Sequence, residues 1–499
     1  MEETSSESGE SDAVSAVAAA VDSGQAGHND NEDDNDDDND VSICTAKQWK
    51  ALRAAPRELW IIYVLKFLSS YSYFSFALVL VLYLSEEFGL SDVQAGWAYG
   101  MYGVMSTVFG MVCGWFIDIM GVRASLIIGS SVGMIARFVL ALSRSKAVTL
   151  IILGSLLPFA ESLGIPIMTI GVKRYSSPAN RTIAFSFYYS IMNVAALCAG
   201  PAVDVLRLLF GDGARIGSFT LSPDRLVLLT SALSTFLCVC VSFMGIREID
   251  VDERGNVQEF QPENKAPWAK TREVLHQRTF WVLVLFSLLL MGVGMVFRHL
   301  DGTMPKYMLR EFGPNAPFGL VYSINPFIII FAVPLVGMVS RRIRSYPMIV
   351  YGSFIAGVSP LWVCIGNKMW AIILFVVTLS IGEAIYSPRV YEYSMAISQD
   401  GSEGMYSSLA SAPLFCVKLL VGGLSGYLLE KFCNEDPVLH PRNSAAMWGI
   451  IGAMSVSSAI LMRAFKWILD IEEGNPARGG RNKSLVALPQ SVELAEISS

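Results

Sequence analysis

The sequence predicts an all-α membrane protein in which twelve transmembrane helices form two pseudo-symmetric bundles of six. Of its 499 residues, 53% are hydrophobic and 16% are charged, a low charge content for a soluble protein of this length. The apolar residues are gathered into runs of about 20, the length that an α-helix needs to cross a bilayer. The longest polar break, residues 247–278, leaves six runs before it and six after it.

We number the apolar runs as spans 1 to 12. They cover residues 59–84, 93–117, 124–143, 147–171, 182–207, 225–246, 279–300, 317–339, 346–366, 369–390, 404–430 and 445–468. Many contain Gly or Pro, which membrane helices tolerate because neighbouring groups satisfy the freed backbone atoms. The sequence lacks the short alternating segments that are typical of transmembrane β-strands.

The net charge of −7 hides an uneven distribution. Residues 1–45 hold fourteen acidic residues and no Lys or Arg, so the remainder carries 30 acids against 37 bases. A segment so acidic and so poor in apolar residues is typical of a disordered tail. The predicted organisation is therefore a disordered acidic tail at 1–45, a first bundle at 46–247, a linker at 248–278, a second bundle at 279–470 and a tail at 471–499.

The distribution of basic residues predicts the orientation. With both termini in the cytoplasm, the cytoplasmic segments carry 22 Lys and Arg, the outer loops 10 and the spans 5. Positive charge is enriched on the cytoplasmic side of membrane proteins. We therefore expect an integral, multi-pass protein of the plasma membrane or an organelle membrane, with both tails cytoplasmic.

The loop after span 2 reads "GWFIDIMGVRAS" and places Gly114, Asp118, Gly121 and Arg123 in sequence. This pattern resembles the signature between helices 2 and 3 of the major facilitator superfamily. In that fold, two six-helix halves are related by an axis along the membrane normal. The resemblance implies a conformational latch, in which Asp118 bonds a facing helix N-terminus or Arg123. Where the family has an arginine directly after the aspartate, this chain has Ile119.

Three further stretches resemble the proton-coupled oligopeptide transporters, one branch of that superfamily. "FSFYYSIMNVAAL" in span 5 places Tyr189 and Asn193 at the tyrosine and asparagine that contact peptide in the family. "YSINPFIIIFAVPLV" in span 8 directs Asn325 toward the cavity, and "SIGEAIYSPRVYEYSMAIS" in span 10 contains Glu383. The resemblance implies that Glu383 holds the amino group of the substrate.

Span 1 departs from that branch. Where the family has E-x-x-E-R followed by aromatic residues, this chain has Lys66, Ser69 and Ser70, and Tyr73 keeps the aromatic part. The family's lysine on helix 4 is also replaced, by Ile165. The usual coupling residues are thus rebuilt or removed. Lys66 is expected to be a positive site for substrate, since Ser69, Ser70 and Tyr73 extend a polar stripe at helical spacing, although a snorkelling lysine is the alternative.

Other charged residues fall inside the spans. Glu161 is expected to carry a proton or to pair with Lys66, because an unpaired buried carboxylate takes up a proton. Lys418 is a third candidate for ion coupling, besides Glu161 and Glu383, with Glu383 as its expected partner. Arg137 is interpreted as a lipid-edge or structural cation. His299 and Asp301 are expected to form a solvated cap at the end of span 7.

Together these features predict a secondary transporter that moves a small polar or zwitterionic solute, such as an amino acid or short peptide, by alternating access. The sequence contains no phosphate-loop, dinucleotide or zinc-protease motif, and its eight cysteines lack metal-ligand spacing. We therefore expect no enzyme activity, no cofactor, no metal and no nucleic-acid partner. The expected partners are a small solute, the lipid bilayer and, if transport is coupled, a proton, with a monomer as the transport unit.

Two alternatives remain open at this point. A transporter of organic anions or nitrate-like solutes is favoured by the three cations Lys66, Arg298 and Lys418 in the spans. A membrane receptor that senses a solute without transporting it is compatible with the long acidic tail.

Overall fold

The computed structural model describes residues 50, 52–177, 180–216, 219–251, 256–259, 276, 278–340, 343–397, 403–438 and 440–469. They fall into two compact units, Met1–Ala54 and Ala55–Ser499, and all of the helices labelled below belong to the second. The predicted acidic tail, most of the linker and the C-terminal tail lie outside the described residues. The division into two bundles stays a prediction.

Helices account for nearly all of the described structure. Before the linker they are α1 (Arg57–Phe88), α2 (Asp92–Leu142), α3 (Lys146–Gly154), α4 (Leu156–Tyr175), α5 (Arg181–Leu209) and α6 (Pro223–Gly245). After it they are α7 (Arg278–Gly302), α8 (Met304–Phe312), α9 (Phe318–Val339), α10 (Ser345–Val358), α11 (Leu361–Ile365), α12 (Met369–Ile397), α13 (Glu403–Phe432), α14 (Ser444–Ala464) and α15 (Lys466–Leu469).

Two small antiparallel hairpins interrupt the helices. β1 (Ala214–Ile216) pairs with β2 (Phe219–Leu221) between α5 and α6. β3 (Ile249–Val251) pairs with β4 (Val257–Glu259) directly after α6. The sequence analysis does not predict either hairpin, because three-residue strands give too short a pattern to be distinguished from loop.

Ten described helical stretches are long and apolar enough to cross a membrane, and they coincide with ten of the predicted spans. Spans 2 and 11 are the two not among them. Span 2 lies in α2, which continues into span 3, and span 11 lies in α13. Parts of both, residues 114–119 and 403–416 among them, have side chains outside the described set. The helical membrane fold is therefore confirmed, with ten of the twelve spans accounted for by this measure.

Short polar residues set the ends of several helices. Ser91 and Gln94 form a reciprocal capping box at the start of α2. Ser222 caps α6, whose first residue is Pro223. Gly89 ends α1 in the left-handed conformation, with φ of 61°. These caps place the chain reversals between apolar runs close to where the sequence predicts them.

Helices pack mainly within each half of the chain. In the first half, α2 packs against α4 and α6, and α1 packs against α5 and α6. In the second half, α12 packs against α9 and α10, while α14 packs against α7 and α10. The two halves meet where α2 packs on α13 and where α5 packs on α9.

The crossing of α5 and α9 brings two backbones into contact. A Cβ atom added to Gly200 would lie 2.1 Å from the carbonyl oxygen of Gly319, and one added to Gly319 would lie 2.2 Å from that of Gly200. No side chain larger than hydrogen fits at either position. Small residues at such crossings allow membrane helices to approach closely.

Candidate functional site

The hydroxyl group of Tyr73 on α1 is approached by side chains of two other helices, α13 and α7. Lys418 on α13 donates a hydrogen bond of 2.9 Å to this oxygen, and Arg298 on α7 approaches it at 3.5 Å. Lys418 Nζ also lies 5.1 Å from the ring centroid of Tyr73 and 4.9 Å from that of Tyr102 on α2. Two cations of the second half thus meet aromatic side chains of the first half.

The expected pairing of Lys418 with Glu383 is wrong. Among the described residues, no carboxylate oxygen lies within 4 Å of Lys418, whose ammonium group is held by aromatic side chains instead. Hydropathy places both residues inside spans but does not fix how α12 and α13 are rotated toward each other. That rotation decides the partner.

Arg298 is partly neutralised by Asp301, which lies 3.3 Å away on the next turn of α7. Tyr99 donates a hydrogen bond of 3.0 Å to the same carboxylate. Asp301 is buried and His299 is fully buried, with its Nδ1 2.6 Å from the hydroxyl of Thr303. The expectation that His299 and Asp301 form a solvated cap is therefore wrong, since both side chains are buried and Asp301 is bound by Tyr99 of α2.

Glu383 and Asn325 lie together, as the two motifs suggested. The amide nitrogen of Asn325 on α9 donates a hydrogen bond of 2.8 Å to Glu383 on α12, and it lies 3.1 Å from the hydroxyl of Ser380. Within the described part of the chain, no basic side chain approaches Glu383 to within 4 Å. Arg298 is the cation whose charge acts on it at longer range.

Lys66 is buried, with 6% of its surface exposed. Its ammonium group lies 4.5 Å from the ring centroid of Tyr188 on α5. No described carboxylate lies within 4 Å of it. Tyr188 is not among the predicted site residues, although it adjoins the predicted Tyr189 in "FYYS". Asn193 donates 3.0 Å to the backbone carbonyl of Tyr189, so part of its amide is used within α5.

Glu161 forms a buried ion pair with Arg137 at 2.9 Å, and the hydroxyl of Tyr102 donates to its other oxygen. The expectation that Glu161 pairs with Lys66 is wrong, and of the two interpretations of Arg137 the ion pair supports the structural cation rather than the lipid-edge one. The side chains of Glu161 and Arg137 are only 9% and 5% exposed. A cavity of about 40 Å³ lies beside the pair. Its polar lining consists of Ser69, Ser72, Tyr73, Ser130, Arg137, Glu161 and Thr235.

Gly121 marks the kink between the two spans of α2. Its φ of 79° lies in the left-handed region that favours glycine. The carboxylate of Glu248 accepts hydrogen bonds of 2.7 Å from the backbone nitrogens of Val122 and Arg123, which begin the following helix. The Glu248 carboxylate therefore caps this helix N-terminus.

The predicted latch is only partly described. The Arg123 side chain is exposed and its guanidinium lies 3.4 Å from the backbone carbonyl of Phe243. The side chain of Asp118 lies outside the described set, so the roles of Gly114 and Asp118 stay predictions. Glu248 is not among the residues predicted for the latch, although the sequence shows this acidic residue two positions after span 6.

Two carboxylates of the first half, Asp92 and Asp204, bind helices of the second half. We call this end of the fold the Asp92 end. Asp92 at the start of α2 binds Lys306 at 2.7 Å and both guanidinium nitrogens of Arg310 at 2.7 and 2.9 Å, all on α8. Burial alone would raise the pKa of the Asp92 carboxyl, but Arg310 and Lys306 outweigh it and hold that pKa below its usual value.

Asp204 on α5 makes the second of these connections. Its two carboxylate oxygens accept hydrogen bonds of 2.9 and 2.6 Å from the backbone nitrogens of Gly319 and Leu320. These nitrogens are unsatisfied donors in the first turn of α9. Asp204 therefore caps a helix of the opposite half, next to the close crossing of α5 and α9.

A comparison with protein families now identifies the fold. Residues 62–417, most of the chain, match the family model described as Major Facilitator Superfamily. The chain belongs to the major facilitator superfamily. It is therefore an integral membrane protein that crosses the bilayer several times. As a member of this superfamily it shares the fold of many secondary transporters.

Solved structures of similar fold come from the oligopeptide-transporter branch. One is a POT family transporter in complex with a thioalcohol-conjugated peptide, with a TM-score of 0.65 and 15% identity, covering 83% of this chain and 97% of that one. Another is the POT family transporter PepTSo, with a TM-score of 0.66 and 13% identity, covering 84% and 99%. At 13–15% identity, this structural similarity establishes the fold. It confirms the resemblance to the oligopeptide-transporter branch at the level of the fold.

A curated human relative, Solute carrier family 67 member A1, is 25% identical over 248 residues. The match spans 47% of this chain and 56% of the relative. The chain thus matches little more than half the length of that protein.

Proposed function

We propose that this superfamily member is a secondary transporter that moves a small zwitterionic solute, an amino acid or a short peptide, by alternating access. The observation that carries the proposal is a separation of unpaired charge. Glu383 accepts a hydrogen bond from the Asn325 amide, while Lys418 has aromatic neighbours, and neither has an ion-pair partner among the described residues. An unpaired charge is costly at membrane depth, and a zwitterion supplies both missing partners.

The proposed topology places both termini in the cytoplasm, with residues 46–247 and 279–470 as the two moving bundles. In that orientation the Asp92 end is the outer end. The contacts of Asp92 with α8 and of Asp204 with α9 support a conformation that is closed on the outside. The proposed ion-coupling groups are Glu161 and Glu383, since span 1 offers no carboxylate in place of the family's glutamates.

A ligand bound in one of the solved neighbours supports the solute class. This neighbour is a POT family transporter in complex with 5-aminolevulinic acid, with a TM-score of 0.63 and 15% identity, covering 82% of this chain and 96% of that one. That ligand carries an amino group and a carboxylate. We propose solutes with the same two end groups for this chain, and we expect a monomer to suffice for transport.

An uptake screen on purified protein in proteoliposomes tests the proposal. Amino acids and dipeptides form one arm, and nitrate and simple carboxylates form the other, each with and without an imposed pH gradient. Uptake of zwitterions above protein-free vesicles is the expected result. Uptake confined to the anion arm would favour the second candidate, an anion transporter. Three cations, Lys66, Arg298 and Lys418, against the single carboxylate of Glu383 support that candidate. Binding without flux of any solute would indicate a receptor.

A further inference from the structure

We infer that the anionic end of the substrate binds between Lys418 and Arg298, at the position of the Tyr73 hydroxyl, and that Lys66 is not its primary contact. The inference rests on the proposed function for the zwitterionic substrate. It assigns the carboxylate to the second half of the chain, which also holds Glu383. Both substrate ends are then bound by helices that follow the linker.

The geometry at Tyr73 resembles an occupied anion site. Lys418 and Arg298 reach the same oxygen atom from two helices, at 2.9 and 3.5 Å. A carboxylate has two acceptor oxygens and can bridge an ammonium and a guanidinium in this arrangement. The phenolic oxygen accepts in the same direction but carries no charge.

Charge balance favours an anion here. Asp301 is the single described carboxylate that contacts Arg298, and it is shared with Tyr99. Lys418 contacts no carboxylate of the described residues, and the nearby Glu161 is already paired with Arg137. The cluster of Lys418, Arg298 and Asp301 therefore keeps one uncompensated positive charge.

Lys66 offers a poorer site. It is seven residues before Tyr73 on α1, so it lies about 10 Å away along the helix. Its ammonium faces the ring of Tyr188 at 4.5 Å, and no second cation accompanies it in the described structure.

Ring contacts connect the neighbourhood of Tyr73 with α9, the helix that carries Asn325. Phe74, next to Tyr73, packs against Tyr322 on α9 with ring centroids 6.4 Å apart. Asn325, the partner of Glu383, lies three residues further, about one helical turn. Arg298 is also the cation whose charge acts on Glu383, so we expect a short zwitterion to reach from Glu383 to the cation pair.

The site also connects binding with the two halves of the fold. Tyr73 belongs to the first half, whereas Lys418 and Arg298 belong to the second. A carboxylate that takes the place of the Tyr73 hydroxyl removes a hydrogen-bonded contact between them. Substrate binding at this point thus changes what holds α1 to α7 and α13.

Binding to purified protein in detergent tests the inference. The probes are acetate, dialanine and dialanine amide, the last of which lacks the carboxylate. Binding is measured as the shift in the melting temperature of the protein with probe concentration. Wild-type protein is expected to prefer dialanine over its amide and to bind acetate weakly. Lys418→Gln and Arg298→Gln are each expected to weaken dialanine about 10- to 100-fold and to abolish the preference over the amide. Lys431→Gln is the matched control, because it removes an exposed lysine from the helix that carries Lys418. This variant is expected to behave as wild type.

Three outcomes would overturn the assignment. One is an absence of preference for dialanine over its amide in the wild type. Another is a loss of preference in Lys66→Gln that neither Lys418→Gln nor Arg298→Gln shows. The third is wild-type binding in both cation variants. Arg298→Gln examines the same site if Lys418→Gln does not fold. The flux screen decides the proposed function separately, because transport of a zwitterion can persist when this anion site is excluded.

Discussion

Glu161 and Arg137 form a buried ion pair at 2.9 Å that joins α4 to α2. The carboxylate that the sequence offers as a proton carrier is therefore already neutralised by a cation. Tyr102 donates to the same group and also lies beneath the ammonium of Lys418. Protonation of Glu161 would leave the Arg137 guanidinium buried without its counter-ion, which couples any proton uptake here to the packing of the first half.

Glu161→Gln is expected to lower the stability of the protein by about 3–5 kcal/mol, because it leaves a buried guanidinium unpaired. Thermal unfolding in detergent measures the change. The double variant Glu161→Gln, Arg137→Gln removes both charges and is expected to recover part of the loss. A single variant as stable as the wild type would show that the pair contributes little to the stability of the protein.

Glu383→Gln is expected to reduce zwitterion uptake at least tenfold while the protein still reaches the membrane. Glutamine has the same shape and can still accept from Asn325, so the change removes mainly the charge. Proteoliposome uptake and protein yield are measured together. For comparison, Glu161→Gln is assayed under an imposed pH gradient, where a proton carrier loses accumulation but keeps exchange. Normal uptake by Glu383→Gln would exclude the proposed amine site.

The Asp92 cluster is expected to stay closed when the solution is mildly acidified. Because Arg310 and Lys306 hold the pKa of Asp92 below its ordinary value of 3.8, its contribution is complete above that value and is lost only as the pH falls through the lower, folded-state pKa. Labelling of a cysteine introduced near the cluster, divided at each pH by that of an exposed control cysteine to correct for the thiolate fraction, should therefore be equal at pH 5 and pH 7.

Asp92→Asn provides the comparison, since it removes the charge at every pH. This variant is expected to increase labelling several-fold, as two basic side chains lose their shared counter-ion. Labelling that rises between pH 7 and pH 5 in the wild type would mean that another group controls this end of the protein.

Gly121→Ala is expected to destabilise the protein by about 1–3 kcal/mol. The φ of 79° is unfavourable for alanine, and a Cβ atom would lie 2.5 Å from Glu248 Oε1. Thermal unfolding is again the measurement. Gly337→Ala is the matched control, because this glycine of the second half has no atom within 4 Å of an added Cβ. Equal melting temperatures for the two variants would argue against a strained turn held by Glu248.

The sequence could predict the elements that depend on local pattern. Span positions follow from apolar run length, and Asn325 and Glu383 follow from motifs that place both toward the centre. Partners in other helices could not be predicted in the same way. Tyr73 and Lys418 are 345 residues apart, and their contact depends on how two largely apolar helices are rotated. Helices that are apolar on all sides give little periodic signal about which face meets which neighbour.

The partner of Glu161 depends on helix packing in the same way, so hydropathy does not predict it. Lys66 and Arg137 were both cations inside spans, and hydropathy alone ranks them equally. Packing of α2 against α4 brings Arg137 to Glu161, whereas Lys66 faces α5 and the ring of Tyr188. Glu248 was missed for a related reason, since its capping role depends on a turn that is distant in sequence.

The contact between Gly200 and Gly319 offers a practical handle on the conformational cycle. Since neither position has room for a methyl group, a leucine at Gly200 would act as a wedge that the two backbones cannot accommodate together. The helices could still separate, so the opposite arrangement of the halves would be populated without any added ligand. A single side chain at this crossing is thus a means of trapping that state for structure determination.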